Sequence, residues 1–160
     1  CSGRGQDPLL HLRDHWITQL SGLTPLELSS DHPRPAKPSY QGASHTFRIE
    51  SALLARLEEL CRTEGASLQM GLLSLVALLL HRYSQQDDFA IGIPIWGCHH
   101  PDLETVVGFF VNTLPIRTRF SADLSFRQLL AQVRATSIEA YDHQELQFEQ
   151  MVEEIGRAHV

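Results

Sequence analysis

The sequence predicts an α/β fold in which helices cover a mixed sheet, and three observations carry that reading. Leucines surround the segment 68–80 on every side, which demands a helix covered on most of its faces. Two β-prone runs, Phe89–Ile95 and Phe109–Phe120, lie between helical stretches. The expected element order is α-β-α-α-β-β-α-α, with no internal repeat or low-complexity tract.

Leu9, Leu12, Trp16 and Leu20 stand at helical spacing, and Gly22 with Pro25 stops that helix. Pro33, Pro35 and Pro38 then hold residues 29–39 extended and remove amide donors, so this stretch reads as a surface linker. Ala43–Ile49 alternates around Phe47 and Ile49 and is expected to be a strand. Leu53, Leu57, Leu60 and Cys61 form one stripe of an amphipathic helix, with Arg56, Glu58, Glu59 and Arg62 on its wet side and Gly65 closing it. Ser67 is placed to cap the leucine-rich helix that follows.

After the two β-prone runs, Ser125 and Gln128 fit a capping box, and Phe126, Leu129, Leu130, Val133 and Tyr141 continue one helical face. A short last helix around Phe148–Glu154 carries Phe148 and Val152 one turn apart.

A length of 160 residues with 42% hydrophobic and 20% charged residues suits one globular domain. The net charge of −6 and the lack of a basic stripe argue against a nucleic-acid partner. The apolar stretch Leu68–Leu80 is well short of the ~20 residues that span a bilayer, so no membrane partner is expected. Three cysteines, at 1, 61 and 98, without paired spacing suit reduced thiols in a cytoplasmic protein.

Cys98-His99-His100-Pro101-Asp102 suggests a metal or catalytic site. Adjacent residues rarely all point at one ion, and no matching ligand pair occurs elsewhere, so no metal is expected. Asn112 and Thr113 are more informative. An amide and a hydroxyl in mid-strand must find partners if buried, and a reaction channel would supply them.

The stretch Val107-Gly108-Phe109-Phe110-Val111-Asn112-Thr113-Leu114-Pro115-Ile116-Arg117 resembles a signature of the condensation domains of nonribosomal peptide synthetases. His143-Gln144-Glu145-Leu146-Gln147-Phe148-Glu149 is similar to the same family's His-Gln-Asp-x-Pro-Phe-Glu segment, with Glu145 in place of Asp and Gln147 in place of Pro. His15-Trp16 to Gly22, Asp31-His32-Pro33-Arg34-Pro35 and Arg82-Tyr83-Ser84 to Asp88 resemble further family segments, all from its second half. The family's catalytic His-His-x-x-x-Asp-Gly belongs to the first half. His99 and His100 do not match it, because Glu104 and Thr105 stand where Asp and Gly are needed, so no catalytic residue is expected in this chain.

The resemblance implies that residues 1–154 are a partial condensation domain, the C-terminal lobe of a chloramphenicol-acetyltransferase-like pair with the N-terminal lobe missing. It implies a channel role for Gly108, Asn112 and Thr113, and a structural role for Arg117, His143, Gln144, Phe148 and Glu149. Arg117 is expected to be an ion-pair partner. The parent would form an amide bond between a carrier-bound acyl or peptidyl thioester and a carrier-bound aminoacyl amine, and the lobe alone would be inactive. No cofactor would bind directly, since the substrates ride on the phosphopantetheine of donor and acceptor carrier domains, beside an adenylation domain. The alternatives are a non-catalytic carrier-docking module of the same fold, or an epimerisation-type sister, which departs from the Phe-Val-Asn-Thr pattern kept here. Residues 155–160 back-translate to a common sequencing adapter read in frame and are expected to be a non-native tail.

Overall fold

A computed structural model describes residues 8–33, 37, 40–96, 108 and 110–158. The elements are α1 (Pro8–Leu20), α2 (Ser51–Thr63), α3 (Leu68–Ser84), β1 (Asp88–Trp96), β2 (Val111–Arg119), α4 (Phe126–Asp142) and α5 (Phe148–Ala158). Their ends follow local chemistry. Gly22 and Gly65 take the left-handed conformation, at φ 69° and 64°, that closes α1 and α2 without a Cβ clash. The Ser67 hydroxyl accepts from the Met70 amide, and Ser125 with Gln128 forms the full capping box of α4.

β1 and β2 pair antiparallel, with Ile93 opposite Leu114 and Ile95 opposite Asn112. The α/β class therefore holds, but the sheet among the described residues is a two-stranded antiparallel ribbon with no parallel neighbour. The strand expected over 43–49 is a second correction. Those residues belong to no ladder and are all exposed, with Phe47 at 74%. Alternation gives a strand its two faces, but only a neighbouring edge supplies its hydrogen bonds, and among the described residues no strand pairs with this segment.

Leu12, Trp16, Leu20, Ile93, Leu114, Ile116, Ala140, Leu146 and Met151 form the core cluster. It is built where α4 lies along β2 and α1 lies along α5. Leu129, Leu130 and Val133 of α4, together with Phe89, are also buried, and α3 packs against α4. α2 packs mainly on α3, and that contact is close because Gly71 lacks a side chain: a Cβ there would overlap the Cys61 sulfur. Burial pushes the Cys61 thiol up, so it stays protonated. No single helix among the described residues is long and apolar enough to cross a membrane, although α2 and α3 together, bent by 106°, reach the length and composition.

Candidate functional site

Asn112 is the second residue of β2 and is 4% exposed. Its amide nitrogen donates to the carbonyls of Gln144 (3.0 Å) and Leu146 (2.9 Å). Its oxygen accepts from the Thr113 amide (2.8 Å) and from the Phe148 amide (3.0 Å). The Phe148 N–H opens α5 and has no partner inside that helix, so Asn112 caps it from a different element. All four hydrogen-bonding positions of the side chain are thereby filled by backbone of the same chain. The Asn112 side chain is turned toward the α4–α5 turn, which presents this matching set of donors and acceptors.

The same turn takes a third anchor. The Trp16 indole donates to the His143 carbonyl at 3.0 Å. His143 itself terminates α4: its Nδ1 donates to the Glu139 carbonyl at 2.8 Å, and its ring lies 3.6 Å from that of His15. The segments around Trp16, Asn112 and His143, far apart in sequence, thus form one unit. Gln144 contributes its backbone carbonyl, Phe148 its amide, and Glu149 an acid in the first turn of α5, where the helix dipole favours negative charge.

On the opposite face of the ribbon, Arg117 forks onto Asp88 with Nε to Oδ1 at 2.7 Å and Nη2 to Oδ2 at 2.6 Å. Its Nη1 donates to the Gln19 and Ser21 carbonyls, at 2.7 and 2.8 Å, and so closes the C-terminal end of α1. The guanidinium hydrogen bonds hold the Asp88 carboxyl below its ordinary range against the opposing effect of burial, and the Asp88 carboxylate holds Arg117 up. Sequence reasoning placed Asp88 in a family segment but did not identify it, or the Gln19 carbonyl, as a partner of Arg117. The first lies two strand positions from the register partner of Arg117, a relation visible only once the pairing is known.

Thr113 faces away from Asn112 and is half-buried, beside an exposed Gly92 whose Cβ would come within 2.9 Å of the threonine methyl. Gly108 is exposed, and a Cβ there would stand 3.0 Å from the Phe110 ring. Cys98, His99, His100 and Asp102 lie outside the described residues. Among the described residues no group of three His, Cys, Asp or Glu side chains is arranged to hold a metal.

A family model described as "Condensation domain" matches residues 3–160. The chain is similar to a linear gramicidin synthase of Brevibacillus parabrevis, 46% identical over 88% of this chain and 3% of that protein. Chondramide synthase cmdD of Chondromyces crocatus is 45% identical over 88% of the chain and 4% of its own length. Among solved structures, the X-domain from teicoplanin biosynthesis superposes with a TM-score of 0.88 at 31% identity, covering 96% of this chain and 34% of that one. The X-domain is also known in complex with OxyB, where the likeness has a TM-score of 0.84 at 31% identity, over 91% of this chain and 33% of that one. The chain therefore spans a few per cent of these curated relatives and about a third of the solved X-domain.

Proposed function

This chain belongs to the condensation-domain family of nonribosomal peptide synthetases, with a chloramphenicol-acetyltransferase-like fold, and we propose on that premise that it forms one wall of a condensation channel. In the proposed reaction the amine of a carrier-bound aminoacyl group attacks the carbonyl of a carrier-bound acyl or peptidyl thioester. The C–N bond forms, the C–S bond breaks, and the proton lost by the amine balances the departing thiolate. Such a step needs two substrates held in register and a polar group near the developing charge.

The observation that carries this reading is the Asn112 junction. It locks β2 onto the α4–α5 turn from behind and leaves Thr113, with Gly92 beside it, on the other face. In this proposal Asn112 is a positioning residue, Thr113 and Gly108 belong to the wall, and Arg117 fixes the far end of the strand against α1. Proton handling and the second wall come from the other lobe. The partners are that lobe, donor and acceptor carriers that bring the substrates on phosphopantetheine, and a neighbouring adenylation domain, in the cytoplasm. The 155–160 tail is proposed to be adapter-derived, and finding those codons in the genomic locus would overturn that.

A second reading, a non-catalytic docking module, is favoured by the likeness to an X-domain seen in complex with OxyB. Replacing the matching segment of the linear gramicidin synthase with this chain separates the two. Amide product above a carrier-only control is expected from the chimera and none from the chain alone. A folded chimera that docks loaded carriers yet yields no amide would favour the module, and product from the chain alone would overturn the two-lobe reading.

A further inference from the structure

Three histidines meet where α1 touches the end of α4, and neither the fold's core nor the proposed channel uses their side chains. The His15 and His143 rings lie 3.6 Å apart and within 8° of parallel, and His11 stacks on His143 at 5.6 Å. His11 and His15 are one helical turn apart on α1, which places both rings on the side that faces His143. The turn they cover is the one whose carbonyls hold Trp16 and Asn112.

We propose that this stack is a proton-sensitive clasp, closed while His15 is neutral and released when His15 gains a proton, so that α1 loosens from the turn that grips β2. The charged and titratable groups around His15 decide the sign. From α1 come His11 and Asp14, from α4 and its end Glu139 and His143, and from β2 Arg117, which is already engaged by Asp88. The His15 side chain is only 12% exposed, so an imidazolium there loses most of its hydration. Its nearest carboxylate oxygen, on Glu139, stands 3.7 Å away and also accepts from the Gln19 amide at 3.1 Å, and the Glu139 side chain is 47% exposed. The His143 Nδ1 faces a carbonyl, so it must carry a proton and offers His15 no acceptor there.

Desolvation and then the His143 and His11 rings outweigh Glu139, and His15 is held below its ordinary 6.5. A base whose folded form resists protonation contributes stability that is complete above 6.5 and is lost as the pH falls below that value. The Trp16 indole hydrogen bond to the His143 carbonyl transmits the opening, because it is the direct link between α1 and the turn.

The test is an NMR titration of the full chain from about pH 8 to about pH 5, following the His15 ring and the assigned Trp16 indole N–H, a range in which histidine dominates titration. The His15 midpoint is expected below 6.5, with the Trp16 resonance moving at the same midpoint. His15→Phe keeps a ring in the stack without the titration and should abolish that movement, whereas Glu139→Gln should lower the midpoint further. A His15 midpoint at or above 6.5 in the unmodified chain overturns the clasp, as does a Trp16 shift that persists unchanged in His15→Phe.

Discussion

Asn112 shows how one polar side chain can join distant parts of the chain. Its four hydrogen bonds join β2 to both sides of the α4–α5 turn, and the one to the Leu146 carbonyl is buried. Asn112→Ala should therefore cost about 1 to 3 kcal/mol, the penalty of stranding buried donors and acceptors. Chemical denaturation checks this, and a loss well under that range would mean that water replaces the amide. Asp88 is the second residue whose environment makes a prediction. Hydrogen bonds from Arg117 hold its carboxyl below the ordinary 3.8, so its contribution is present above that value and is lost as the pH falls through the depressed one. In Asp88→Asn the acid limb of the stability profile should flatten in this window, while the neutral region drops because a neutral amide with one acceptor oxygen replaces the charged fork on Arg117.

At the scale of elements, close packing and capping matter more than propensity. Gly71→Ala would ordinarily strengthen a helix by up to about 1 kcal/mol. Here the new methyl meets the sulfur of Cys61, which is 1% exposed, so overpacking of about 1 to 3 kcal/mol should win. Adding Cys61→Ala should return most of the loss by emptying the space the methyl needs. Thermal melts of the single and double variants decide it, and a single variant more stable than the parent would show that α2 simply slides away from α3. α5 tells the same story from its other end, since its first amide is satisfied by a strand residue rather than by a capping side chain next to it in sequence.

The whole molecule is unevenly covered. One end has the core between α1, the ribbon, α4 and α5, while the face of α2 and α3 leaves Leu53, Leu75, Val76 and Leu79 between 42% and 60% exposed. An open groove of about 580 Å³ runs there between Ile49, Leu53, Leu57 and Leu75. Contiguous apolar surface of this kind drives association in water. Sedimentation of the chain should show mass rising with concentration, and Leu53→Glu with Leu79→Glu should reduce it. A sharp monomer at high concentration for the unmodified chain would contradict this account.

Sequence determined what depends on neighbours along the chain. The helices, the Ser67 and Ser125 caps, the glycine stops and the two paired strands all follow from periodicity and local hydrogen bonding, and the motifs around Asn112 and His143 were legible as family signatures. Only the tertiary structure decided what depends on partners brought in from afar. Residues 43–49 have a strand's alternation but pair with no edge among the described residues, and Asn112 points inward because the α4–α5 turn, more than thirty residues later, offers it two carbonyls and an amide. Side-chain alternation is a property of the chain, whereas a hydrogen bond's second half belongs to whatever the fold places beside it.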